Sequence, residues 1–113
     1  MAKNYLQEGD TVTLPAPYQR NSGQGARIGA LFGVAANDVL SGALGEFHTE
    51  GVWALNKSTG AGTALVVGGK AYWDDTAKAV TGVVGSNLFI GHAVAAAADG
   101  AASVNVRLLG GGV

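Results

Sequence analysis

The side chains suited to chemistry are few: two histidines, eight Asp and Glu carboxylates and five serines, with no cysteine. Zero cysteine excludes disulfide frameworks, thiolate metal sites and cysteine nucleophiles. His48 stands two residues from both Glu46 and Glu50, and with His92 these groups could offer imidazole and carboxylate ligands to zinc. The same spacing puts Glu46, His48 and Glu50 on one polar face of a strand, which is the reading favoured here. A serine nucleophile of the hydrolase type needs a Gly-x-Ser-x-Gly elbow, and none surrounds Ser22, Ser41, Ser58, Ser86 or Ser103. Asp74 and Asp75 are adjacent, so in a strand they point to opposite faces and cannot flank one bond; they read as turn formers.

Two glycine-rich stretches imitate phosphate-binding loops and fail on spacing. A phosphate loop needs Gly, four residues, then Gly-Lys-Ser/Thr, so that backbone amides wrap the phosphates and a hydroxyl takes the metal. In Val67-Gly68-Gly69-Lys70-Ala71 the first glycine is Ala64 and the hydroxyl position is Ala71. Ser22 to Gly29 reads Gly-x-Gly-x-x-x-Gly, with neither a strand before it nor a helix after it. No cofactor or metal is therefore expected. Asn56-Lys57-Ser58 matches a glycosylation triplet, but Met1 to Leu6 show no charged segment leading into a long apolar one, so cytoplasmic synthesis is expected and the triplet carries little weight.

The elements that hold these residues are strands. The chain has 113 residues, formal charge −1 and 48% hydrophobic content, and only 13% of it is charged. Glycine and alanine fill about a third of it, well above ordinary usage. Such a chain is a single folded domain, without the basic field that nucleic-acid binding needs and without an apolar run long enough for a membrane span. With no disulfide or metal to staple it, association with other chains is expected to add stability.

Glycines punctuate the chain into short apolar segments, the rhythm of an all-β fold. Strands are expected at Thr11 to Leu14, Arg27 to Ala35, Glu46 to Leu55, Ala64 to Val67, Lys70 to Asp74, Lys78 to Val83, Leu88 to Ala96 and Val104 to Leu108. Val104, Val106 and Leu108 alternate with polar neighbours, the period of a half-buried strand. Lys70 to Val80 reads as a hairpin turning at Asp74-Asp75-Thr76. In the Glu46 strand, Phe47, Thr49, Trp53 and Leu55 share the inner face; in the Leu88 strand, Ile90, His92 and Val94 share one face.

Residues 1–26 stand apart. Pro15, Pro17 and the polar run Gln19 to Gly25 suggest an extended N-terminal arm and loop, with residues 27–113 forming the β-domain. Tyr5, Leu6 and Tyr18 are apolar groups that a lone arm has little reason to carry, so they are candidates for contact with another chain, with Arg20 beside them. Tyr72 and Trp73 must point to opposite faces of their strand, and Trp73 is taken as the interface candidate of the pair. A sugar- or receptor-binding β-domain is the alternative; its signature is an exposed Trp53 or Trp73 beside polar groups.

The order of segments carries more information than any one of them. An arm precedes Ile28-Gly-Ala-Leu-Phe-Gly-Val-Ala-Ala-Asn-Asp-Val-Leu-Ser-Gly, then come Gly45-Glu-Phe-His-Thr-Glu-Gly-Val-Trp-Ala-Leu and Gly68-Gly-Lys-Ala-Tyr-Trp-Asp. Leu88-Phe-Ile-Gly-His-Ala-Val-Ala-Ala-Ala-Ala-Asp-Gly and Val104-Asn-Val-Arg-Leu follow. Over nearly the whole chain this resembles the small tailed-phage capsid cement, or head decoration, proteins of the DUF2190 type, with Phe32 and Val39 replacing the family's Val and Ala. The resemblance implies a small single-domain β-barrel or jelly-roll-like sandwich. It implies a structural virion protein, not an enzyme, that binds the outside of an icosahedral shell as a homo-oligomer, trimer or dimer. Its partner would be the major capsid protein, whose neighbouring subunits it ties together after synthesis in the host bacterial cytoplasm.

Overall fold

The glycine-bounded segments fold as two antiparallel sheets. The computed structural model describes residues 11–108, which contain nine strands and no helix. The first sheet is built from β1 (Thr11–Pro15), β2 (Gly25–Ile28), β3 (Leu31–Ala35) and β4 (Leu44–His48), in the order β1-β4-β3-β2. The second takes β5 (Val52–Asn56), β6 (Lys70–Asp74), β7 (Ala79–Thr81), β8 (Leu88–Ala93) and β9 (Ser103–Leu108), in the order β5-β9-β8-β6-β7. This sheet curls into a half-barrel, because its two outer strands approach through the parallel bridge Lys57↔Val80 and the bond from Ser58 N to Val80 O at 2.8 Å. The protein is an all-β single domain, as the segment rhythm predicts.

Alternation is read cleanly in β9, where Val104, Val106 and Leu108 are buried and Ser103, Asn105 and Arg107 exposed. The hairpin over 70–80 is also observed. Asp74 Oδ1 accepts hydrogen bonds from the amides of Thr76 (3.0 Å) and Ala77 (3.2 Å), so the aspartate shapes the turn through its side chain.

Two expected strands are each two strands. Arg27 to Ala35 breaks at Gly29-Ala30, a two-residue turn between the paired Ile28 and Leu31, with Gly29 at φ 62. That backbone suits glycine and matches the right-handed twist of a hairpin, while the apolar pattern runs on across it. Glu46 to Leu55 breaks at Thr49–Gly51, where Gly51 takes φ 105 and the chain crosses from the first sheet to the second. Ala64 to Val67 is not a strand. Leu65 makes a single bridge to Ala97, and the chain then turns with Gly69 N bonded to Val66 O at 2.9 Å and Gly68 at φ 79. The glycines that imitate a phosphate loop form a type II turn.

The expected arm and loop of residues 1–26 takes a different form over its described part. Thr11–Pro15 pairs with β4 along its whole length as an edge strand, and Gly25 and Ala26 already belong to β2. Residues 16–24 fold back over one face of the first sheet, where Ala16, Ala26, Ala35, Val39 and Phe47 make a small core flanked by Tyr18.

The main core lies between the sheets. Leu55, Ala71, Trp73, Val80, Ile90, Val104, Val106 and Leu108 line the inside of the half-barrel, and Phe32 and Val34 reach in from the first sheet. The Phe32 and Trp73 rings meet at 4.9 Å, tilted by 53°. Gly25 makes room for them: a Cβ there would stand 2.5 Å from Phe32 Cζ and 3.0 Å from Trp73 Cζ3.

Candidate functional site

The sequence-derived contact residues fall in three places. Tyr5 and Leu6 lie outside the described residues. Tyr18 and Arg20 sit where the loop over the first sheet meets the β6–β7 turn. The Tyr18 hydroxyl donates to Asp75 Oδ1 at 2.7 Å and accepts from the Arg27 amide at 3.2 Å. Its ring meets two cations, the Arg20 guanidinium at 5.0 Å and Lys78 Nζ at 4.5 Å from the centroid. Arg20 also donates to the carbonyls of Gln19 and Gly25. Both residues are thus engaged within their own chain and only partly open to another.

Trp73 is 1% exposed, and its indole donates from Nε1 to Asp75 Oδ1 at 3.1 Å. Asp75 therefore receives bonds from Trp73 and from Tyr18, closing the seam between the sheets. The side chain on the outward face at this point of β6 is Tyr72, which pairs in register with Phe89 on β8, their rings 5.6 Å apart. Trp53 is half-buried and stacks on His48 at 5.1 Å and 18°, with its Nε1 donating to Glu50 O at 2.9 Å. Neither tryptophan has the exposed ring that a sugar platform needs.

Burial raises the Tyr18 pKa above the ordinary 10.0, with the hydrogen bond to Asp75 acting in the same direction. The folded chain therefore holds this proton more tightly than the unfolded one. The associated stability is fully present below pH 10 and is lost as pH rises through the folded value. At about pH 11 the urea midpoint falls further, relative to pH 8, in the wild type than in Tyr18→Phe, which has no phenol to ionise. Equal losses in the two proteins would show that this proton is not linked to folding.

The histidines lie in different settings. His48 Nδ1 lies 3.1 Å from the Thr11 hydroxyl on the first sheet, and its ring is half-covered by Trp53, so it is less solvent-facing than Glu46 and Glu50. His92 is on the outer face of the second sheet, its ring edge-on to Phe89 at 5.4 Å. Its placement opposite to Ile90, which is buried, corrects the expected shared face. A register shift between Ala71 and Tyr72 changes the parity of β8, so Phe89 and His92 both point outward although they are three residues apart. Among the described residues, no three or more His, Asp or Glu side chains gather as a metal-binding group.

What the surface presents instead is apolar. Leu40 and Leu44 are 71% and 72% exposed, beside the start of β4. Val66, Val67 and Val94 form a second group, linked through bonds from Gly68 N to Ala93 O and from Ala93 N to Gly69 O. Val83 and Val84 are exposed in the connection from β7 to β8. The signal was visible as two Val-Val-Gly runs at 66–68 and 83–85: neighbouring apolar residues entering a glycine turn cannot all reach the core. Among the described residues, no helix is long and apolar enough to cross a membrane.

These features define a small all-β domain, with many of its side-chain polar groups tied into turns and sheet seams and a subset of its aliphatic groups exposed at the surface. A family model for phage cement protein matches residues 6–108, and the chain belongs to that family. It is a structural protein of the bacteriophage capsid, as its segment order predicts. Comparison with curated proteins and with solved structures returned no match.

Proposed function

We propose that the protein binds the outer surface of the phage capsid and stabilises the shell by bridging neighbouring major capsid subunits, acting as a homo-oligomer and without a catalytic step. The family membership over residues 6–108 carries this reading. The surface supports it: Leu40 and Leu44 beside the first sheet and Val66, Val67 and Val94 beside the second are separate apolar groups, and a bridge needs at least two contact areas. Burying them against different subunits means that the pressure of packaged DNA must break both contacts before the subunits part.

Residues 1–10 precede β1, an edge strand of the first sheet, and in this reading Tyr5 and Leu6 contact a neighbouring chain, with main-chain bonding giving affinity and these side chains filling pockets. The test is co-sedimentation of the purified protein with expanded shells assembled without it. Saturable binding at a fixed ratio to capsid subunits is expected; absence of binding would overturn the proposal.

A further inference from the structure

The outer face of the second sheet carries an aligned row whose two permanent cations make no side-chain hydrogen bond or ion pair among the described residues. Lys70 on β6 stands opposite His92 on β8, and His92 opposite Arg107 on β9; Arg107 in turn faces Val52 on β5. The row therefore crosses four strands on one face, and the two permanent cations stand about 10 Å apart at the backbone, two strand spacings. Lys70 Nζ lies over the Phe89 ring at 5.6 Å, Phe89 packs edge-on to His92, and Tyr72 flanks Phe89. Lys70, Arg107 and Val52 are exposed, the last at 57%.

The other cations among the described residues have work within the chain. Lys57 is buried with its ammonium on Ser58 O, Thr63 Oγ1 and Asp99 O; Arg20 and Lys78 clasp Tyr18; Arg27 bonds Gly29 O. Arg107 has no side-chain partner among the described residues. The nearest carboxylate along β6, Asp74, is committed to the amides of Thr76 and Ala77. Cations brought onto one row with no intervening acid have no opposite charge to pair with across the strands, and the exposed guanidinium offers a planar fork to a carboxylate.

Resting on the capsid-binding reading, we infer that this row is the docking surface for an acidic segment of the capsid shell protein. Carboxylates would pair with Arg107 and Lys70, while apolar groups beside them pack on Val52, Phe89 and Tyr72. Charge complementarity sets the choice of partner. Two permanent cations suit a pair of carboxylates, whereas a nucleic-acid track needs a longer basic surface than a chain of net charge −1 provides.

The test compares shell binding of the wild type, of the double variant Lys70→Gln/Arg107→Gln, and of Thr59→Glu/Ala61→Glu, which shifts net charge equally at exposed positions after β5. Thermal melting of each variant verifies the fold, since all four side chains are exposed. The inference predicts about tenfold weaker shell binding for Lys70→Gln/Arg107→Gln, a gap that closes at high salt, and wild-type binding for the control. Equal binding by the Lys70/Arg107 variant, or an equal loss in the control, overturns the inference while leaving capsid binding intact. Failure of the wild type to bind shells overturns the underlying capsid reading and this inference with it. A row that serves wild-type binding to the acidic polysaccharide hyaluronate, and not to shells, belongs to a glycan site and also overturns it.

Discussion

Trp73→Ala lowers the stability of the folded chain by about 4 kcal/mol, a large part of what a domain of this size possesses. The indole is 1% exposed and fills the seam where the half-barrel meets the first sheet. Truncation leaves a cavity against Phe32, whose own position depends on Gly25 granting it space. It also removes the Nε1 donor from Asp75, leaving that carboxylate with Tyr18. Urea unfolding measures the loss as a drop in midpoint with unchanged slope. A loss below about 1 kcal/mol would mean that the sheets close over the gap and that the seam is not the keystone of the fold.

Gly91→Ala is the second large effect, at about 3 kcal/mol. A Cβ at this position would collide with the carbonyl oxygen of Arg107 and approach Leu108 Cα at 3.1 Å. Both obstacles are backbone of β9, an interior strand of the sheet, so no side chain can swing away to make room. Gly100→Ala is the matched comparison, because a Cβ there meets nothing within 4 Å, and it leaves the midpoint unchanged. The effect reaches the surface as well. Gly91 sits beside the irregularity that sends both Phe89 and His92 outward, so pushing β8 away from β9 also disturbs the Lys70–His92–Arg107 row. A Gly91→Ala protein as stable as Gly100→Ala would contradict this close packing of strands.

The strand class and most of the strand positions were legible because half-buried strands leave a period-2 trace. Val104 to Leu108 shows that trace directly, and Asp74-Asp75-Thr76 marks its turn by side-chain chemistry. The breaks at Gly29-Ala30 and Thr49–Gly51 were hidden because apolar alternation continues across both; only the positive φ of Gly29 and Gly51 separates the strands. Parity was lost in β8 for a different reason: a bulge reassigns faces without altering composition, so Ile90 goes in and His92 goes out.

The contact residues divide along the same physical line. Period 2 says that Tyr72 and Trp73 face opposite ways, but tertiary packing decides that Trp73 goes inward. Tyr18 carries an apolar ring in a polar loop, and its hydroxyl finds Asp75 at 57 residues' separation, a pairing no local pattern announces. The row of Lys70, His92 and Arg107 is equally invisible in sequence, since it exists only through the pairing of β6 with β8 and of β8 with β9.

The most direct test of the central claim, that this chain acts by joining capsid subunits, is electron cryo-microscopy of shells assembled without it and then saturated with the purified protein. Density for the chain is expected on the outer surface, spanning the junction between neighbouring major capsid subunits and touching both. Density confined to a single subunit, or a shell that stays bare, would contradict it.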